Sequence, residues 1–381
     1  MTDPWDRSPL SDLRPAERAR LEELDFDPAS FDDLARKLVE GRLPTNRVEA
    51  EVTPPKDGAL RRVAPKGTWQ GDALADAGTQ LLSSGRAGLL LLNGGMATRF
   101  DGRVKGVVEA LPGRSFLALQ AERLRLMGNG LGRPVPMLLM NSEATDAATR
   151  SHLQENDHFG LDPSTIRLFR QSAAPRLDSE GRLYRDPRGD LSLYGPGHGD
   201  LLPSLLRSGA LKWASDRGVE YLLMANVDNL GATLDTSLLG AFAAWGHEMM
   251  VEAAPKLAGD VGGAPADVDG RTVVVEGFAF PDGFDHASLP AFNTNTLWFR
   301  LDALQREPPL RWYCVRKTTR GHAVVQFERL VGQASWFLDT AFVEVSRDRF
   351  LPIKSPADLD AALPALRSMF GIGLQVLNGV R

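Results

Sequence analysis

Four short apolar runs with helical stretches between them constrain this chain more than any other feature. Residues 87–92, 135–140, 166–169 and 221–225 are each too brief for a helix of their own. None shows the strict alternation of a strand with one wet face, so each predicts a strand buried on both sides. Residues 71–84 and 201–215 predict helices between them, the first closing at Gly85. Strands of that kind separated by helices form a mostly parallel central sheet flanked by helices, and the fold class is α/β. Residues 272–280 are richer in β-branched side chains and predict a strand in the sheet or in an attached antiparallel piece.

Residues 1–70 have a different texture. Residues 15–24 carry interspersed charges, and Asp27-Pro28 opens a second helix with proline at its first position. There Phe31, Leu34 and Leu38 share a face, and Gly41 can end the helix. Residues 45–66, with Pro54-Pro55 and no periodicity, read as a loop. The expected organisation is a helical N-terminal extension and loop over 1–70, a main domain over 71–360 and a short tail over 361–381.

The chain carries 44 Lys plus Arg against 49 Asp plus Glu, a net charge of −5, which argues against a general nucleic-acid binder. Cys314 is the single cysteine, so no internal disulfide can form, and no Cys/His cluster has zinc spacing. The longest apolar run falls far short of the roughly 20 residues that cross a bilayer. The first seven residues are polar, unlike a secretory signal. A soluble cytoplasmic protein, with neither nucleic acid nor membrane as partner, is the expectation.

In open α/β sheets ligands bind beyond the carboxyl ends of the strands. The first strand is followed by Asn93, Gly94, Gly95, Met96, Ala97, Thr98 and Arg99, then by Lys105 and Gly106. Glycines let backbone amides approach a phosphate, and the two cations supply charge, although a glycine pair also suits a plain tight turn. The spacing is neither the P-loop nor the dinucleotide fingerprint. Gln171 follows the third strand; its amide can donate and accept at once, as a uracil edge requires, or it can cap a turn. Residues 195–200 form a rigid turn presenting His198. After the fourth strand Asp228 stands among asparagines, placed either to hold a Mg²⁺ that phosphates already coordinate or to cap the next turn. Asn293 and Asn295 read as a turn before an apolar strand, and Lys354 beside proline as an exposed charge.

Taken together, LNGG at 92–95 with Lys105 downstream, GPGHGD at 195–200, NVDNLGATLD at 226–235, FNTNTLWF at 292–299, VVQFERLVG at 324–332 and RFLPIK at 349–354 closely resemble the UTP–glucose-1-phosphate uridylyltransferases. The resemblance runs over about residues 90 to 360, in the family's order. It implies a Rossmann-like nucleotidyltransferase domain of the GT-A type and Mg²⁺-dependent, reversible conversion of UTP and glucose 1-phosphate into UDP-glucose and pyrophosphate. It further implies that Gly94, Gly95, Met96, Ala97, Thr98 and Arg99 wrap the nucleotide, with Lys105 on its phosphates. Gln171 and the backbone at Gly197 would read uracil, His198 would contact the sugar phosphate, and Asp228 would hold the metal. Asn226, Glu276, Asn293 and Asn295 would face the sugar hydroxyls, and Lys354 would reach the phosphates from across the cleft.

The chemistry suits those residue types. The phosphate oxygen of glucose 1-phosphate is already an anion and needs no general base to attack the α-phosphorus of UTP. It needs cations that hold two polyanions in line. The chain departs from the family at Ala97, where most relatives carry Gly. Only about 27 residues follow Lys354, too few for the β-helical C-terminal domain of many eukaryotic members, so their oligomeric assembly is not carried over. Other readings are the same reaction on galactose 1-phosphate or N-acetylglucosamine 1-phosphate, a non-catalytic UDP-sugar-binding protein, and a GT-A glycosyltransferase that consumes UDP-sugar.

Overall fold

The computed structural model describes residues 3–97, 100, 102–260 and 262–371, with the backbone alone at Met96 and Ala97. Eight strands build the central sheet: β1 (Leu60–Arg61), β2 (Ala87–Asn93), β3 (Met137–Asn141), β4 (Ile166–Arg170), β5 (Tyr221–Asn226), β6 (Met249–Pro255), β7 (Ala291–Arg300) and β8 (Thr340–Glu344). Their spatial order is β1-β8-β6-β7-β5-β2-β3-β4. Every neighbouring pair is parallel except the two that involve β7, which runs against β5 and β6. The sheet is therefore mixed.

The four apolar runs are β2 to β5. β2, β3 and β5 are buried on both faces as expected, whereas β4 is the edge strand, with Arg167 and Leu168 half-buried and Arg170 exposed. β2 shows the pattern best. Leu89 and Leu91 point to one face and pack with Phe116, Leu117, Leu238, Phe242 and Leu366. Leu90 and Leu92 point to the other and pack with Leu201, Leu205 and Leu211. A strand buried on both faces gains from apolar side chains at every position, which removes the alternation. The helices are α1 (Pro15–Glu23), α2 (Pro28–Val39), α3 (Trp69–Ser83), α4 (Phe116–Leu131), α5 (Glu143–Glu155), α6 (Leu201–Arg207), α7 (Ala210–Ser215), α8 (Thr236–Trp245) and α9 (Pro356–Gly371). α3, α4, α8 and α9 feed the first layer, and α6 and α7 the second.

Several sequence expectations are corrected. Residues 201–215 are two helices, because Gly209 takes a left-handed conformation (φ 70°) between α6 and α7. The β-branched strand ends at Val275, not 280; Arg271–Val275 belongs to a separate three-stranded antiparallel sheet with Val52–Thr53 and Ala264–Val268. Segment 45–66 supplies Val52–Thr53 to that sheet and β1 to the edge of the central one. α9 crosses residues 360 and 361 without a break.

An antiparallel hairpin, Tyr313–Thr319 with His322–Glu328, stands beside the segment that follows β4, bridging to Leu177 through Val325. Phe31, Leu34 and Ala35 of α2 pack with Ala174, Leu177, Tyr194, Val325 and Phe327, so the N-terminal helices buttress this wall from behind. No helix among the described residues is long and apolar enough to cross a membrane.

Candidate active site

From β2, the chain adds β3 and β4 on one side and then returns to place β5 on the other. The strand order reverses there, and the crevice at such a point is where open α/β sheets bind ligands. Gly94 and Gly95 leave β2, Gln171 follows β4, Asn226 ends β5 and Asp228 follows it.

Asn93 sets the glycine loop from below. It is fully buried, its Nδ2 donates to Asn141 Oδ1 and Thr149 Oγ1, each at 2.9 Å, and its Oδ1 accepts from Gly106 N at 3.1 Å. One amide thus ties the end of β2 to β3, to α5 and to the turn carrying Lys105. The Lys105 ammonium pairs with the Asp228 carboxylate, joining the loops after β2 and β5. Asp228 is thus engaged by an ammonium, and its side chain is 4% exposed against 25% for Lys105.

On one flank Gln171 is wedged between two glycines. A side chain at Gly195 would put its first carbon 2.0 Å from Gln171 Nε2, and one at Gly94 would lie 3.0 Å from the same atom. These three residues line a cavity of about 440 Å³ together with Arg176, Lys317 and Glu328. The turn 195–200 is held by Arg329, whose N–H donates to Pro196 O and whose carbonyl accepts from Gly199 N, both at 2.8 Å. Gly197 takes φ 83°, and a side chain there would strike the Arg329 carbonyl at 2.3 Å, so glycine is required on both counts. The Val331 N–H donates to His198 Nδ1 at 3.0 Å. That bond makes Nδ1 the acceptor and leaves Nε2–H as the donor, and burial pushes the imidazole down to about 4, so the ring is neutral at ordinary pH.

The other flank is built by a bulge. Along the β6–β7 ladder Glu252 faces Thr296 while Ala253 faces Asn293, leaving Thr294 and Asn295 as extra residues on β7. The FNTN stretch is thus inside a strand, not the turn that the sequence suggested. Asn295 takes φ 55°, its Nδ2 donates to Asn226 Oδ1 at 3.3 Å, and its own Oδ1 is buried without a partner. Asn293 Oδ1 accepts from Asn295 N at 3.0 Å. Buried acceptors are rarely left unmatched, which sets this Oδ1 apart from the other amides of the bulge. Glu276 stands beside Gly263 and Gly332, and burial pushes its carboxyl up to about 7.

RFLPIK is stitched to the Asp228 loop by Asn229, which accepts from Leu351 N at 2.8 Å and donates to Arg349 O at 3.2 Å. Lys354 is exposed just beyond this stitch, with its N–H on Asp358. Arg349 forks onto Glu252, both contacts at 2.7 Å, beneath the bulge. Thr98 and Arg99 lie outside the described residues, as do the side chains of Met96 and Ala97.

Of the expected residues, the fold brings together Gly94 with Gln171, Lys105 with Asp228, and Asn226 with Asn293 and Asn295. Asn93, Asp200, Asn229 and Arg349 were not singled out from the sequence, although each sits inside a quoted motif; their polar type at a strand end or turn was the only signal.

A family model described as UTP–glucose-1-phosphate uridylyltransferase matches residues 29–369. Curated relatives of that name include those of Astragalus penduliflorus (34% identical, 71% of this chain and 60% of that one), Solanum tuberosum (33%; 77% and 64%) and Saccharomyces cerevisiae (35%; 71% and 58%). The chain thus spans about 60% of the length of the curated relatives it matches. Among solved structures, a UDP-glucose phosphorylase from Trypanosoma brucei matches with TM-score 0.73 at 28% identity, over 90% of this chain and 77% of that one. A UDP-N-acetylglucosamine pyrophosphorylase from the same organism matches with TM-score 0.76 at 22% identity, over 97% and 83%, a likeness of fold alone.

Proposed function

This chain belongs to the UTP–glucose-1-phosphate uridylyltransferase family, and from that premise we propose that it forms UDP-glucose and pyrophosphate from UTP and glucose 1-phosphate, reversibly. The observation that supports this best is the order of groups along the sheet edge. Gln171, wedged between Gly94 and Gly195, stands on one side of the Lys105–Asp228 pair, and the Asn226–Asn295 pair stands on the other. A base reader, a charged centre and a hydroxyl reader are what a nucleotide joined to a sugar phosphate requires. We read the domain as Rossmann-like and of the GT-A type, consistent with ligand-bearing loops at the carboxyl ends of β2 and β5.

In this reading the amide of Gln171 and the backbone at Gly197 pair with uracil, and Gly94 to Arg99 enclose the nucleotide. Lys105 and Lys354 draw the two polyanions together. An oxygen of glucose 1-phosphate attacks the α-phosphorus, and the bond to the bridging oxygen of pyrophosphate breaks in line. His198, neutral with Nε2–H free to donate, contacts the sugar phosphate without adding charge. Asn226, Asn293, Asn295 and Glu276 face the sugar hydroxyls.

Mg²⁺ fits the donor set. Among the described residues no three His, Cys, Asp or Glu side chains converge as a protein-only metal site would need. A single carboxylate at Asp228, completed by substrate phosphates and water, is how Mg²⁺ is usually held. When bound, the ion would neutralise charge on the phosphates.

Pyrophosphate release from UTP and Mg²⁺ is the test, with glucose, galactose and N-acetylglucosamine 1-phosphates compared, and CTP and no-sugar controls. The expected result is release with glucose 1-phosphate well above the others. A different preferred sugar would overturn the substrate and keep the reaction. UDP-glucose binding without release for any sugar would replace the enzyme by a binding protein.

A further inference from the structure

Asp200, the last residue of GPGHGD, is fully buried, yet its carboxylate is not used as a helix cap. It directly precedes α6, where an aspartate ordinarily accepts from the helix's own first N–H groups. Here Oδ2 accepts instead from Ser172 N at 2.7 Å and Ser204 Oγ at 2.9 Å, and Oδ1 accepts from Arg329 Nη2 at 2.9 Å. Arg207 Nη2 lies 3.6 Å from Oδ2.

Ser172 is the residue after Gln171. The N–H of Gln171 itself donates to Asn141 O at 2.9 Å. Both peptide N–H groups around the base-reading side chain are therefore fixed, one to the neighbouring strand and one to Asp200. Arg329 carries the other half of the arrangement: its side chain holds Asp200 while its backbone holds the turn containing Gly197 and His198.

We propose that Asp200, paired with Arg329, is a positioning residue that aims Gln171 and ties base reading to the His198 turn. The inference rests on the uridylyltransferase reading above. A buried ion pair is a weak source of stability, since desolvation offsets much of its attraction. Its distinctive effect is geometric: a charged acceptor fixes a peptide N–H that would otherwise turn, and Gln171 turns with it.

The test is selectivity, a ratio that does not change when part of the sample is unfolded. Kinetics with UTP and CTP are measured for the wild type, Asp200→Asn, Gln171→Ala and the double variant. Asp200→Asn removes the charge and sets an amide among three donors; the expected result is a fall of at least ~10-fold in the UTP/CTP ratio of kcat/KM, carried mainly by the KM for UTP. Because Asp200 acts through Gln171, the double variant should lose no more selectivity than Gln171→Ala alone. If Asp200→Asn does not fold, Arg329→Lys, which keeps a cation but loses the planar guanidinium that donates Nη2 to Asp200, should lower the ratio at least ~3-fold. A wild type without preference for UTP would sink the functional reading and this proposal together. A UTP-selective wild type whose variants keep its ratio, or additive losses in the double variant, would overturn the positioning role alone.

Discussion

Lys105 and Asp228 form an ion pair across the sheet's switch point, joining a residue 12 positions beyond β2 to one two positions beyond β5. Asp228 is almost fully buried, so its charge is balanced by the lysine in the free protein. In the proposed reaction that lysine also meets phosphate.

Lys105→Ala is expected to lower kcat/KM for pyrophosphate release at least ~100-fold, about 2.7 kcal/mol of transition-state stabilisation. Lys354→Ala should do the same. Near-normal rates in either variant would reduce that lysine to a surface charge. Asp228→Asn added to Lys105→Ala should cost far less than it does alone, because the two residues act as one unit.

Gly195→Ala tests the base reader without replacing it. The added methyl would lie 2.0 Å from Gln171 Nε2, so the amide must leave its place. The KM for UTP is expected to rise at least ~10-fold and the preference over CTP to fall, as in Gln171→Ala. Steady-state kinetics with both nucleotides decide it; unchanged ratios in both variants would move uracil elsewhere.

The parts of this fold that were legible in the sequence are those governed by burial. β2, β3 and β5 stood out because leucines and methionines occupy both faces, β4 by its shorter run of Ile166, Leu168 and Phe169, and the candidate site followed from asking what comes after each strand. What was not legible depends on long-range pairing. Nothing local to FNTN says that β7 enters the sheet backwards, since the bulge exists only against Glu252 and Ala253 of β6. Nor does a lone Asn93 or Asp200 reveal partners 48 or 28 residues away. Gln171 and Gly195 were each readable as ordinary turn residues, and only their contact makes them candidates for one site.

Gly78 and Gly240 carry a stability prediction. They sit where α3 crosses α8, and a side chain at Gly78 would meet Thr236 O at 1.9 Å, while one at Gly240 would meet Leu74 O at 1.9 Å. Backbone at that distance cannot yield without separating the helices. Gly78→Ala should therefore destabilise by about 2 kcal/mol or more, seen as a lower urea midpoint with unchanged slope. Substrate KM values of the folded fraction should not move, because the crossing lies on the helix layer away from the cleft loops; a shifted KM would tie this crossing to the site.

Glu276 gives the protein a pH dependence whose sign follows from its burial. In the unfolded chain its carboxyl titrates near the ordinary 4.5, while in the fold desolvation pushes it up to about 7. Below the unfolded value the acid is neutral in both states and its stabilising share is complete. As pH rises towards and through the folded value, the unfolded chain gives up its proton first, so that share is lost. Glu276→Gln stays neutral throughout. Its stability relative to wild type should therefore increase between about pH 5 and about pH 8, read from melting temperatures of both proteins at each pH. His198, held down to about 4 by burial, still titrates near 6.5 in the unfolded chain, but it is common to both proteins and cancels from their difference. A difference between the two proteins that stays constant with pH would mean that Glu276 is ionised in the fold, held by a cation or by solvent rather than desolvated.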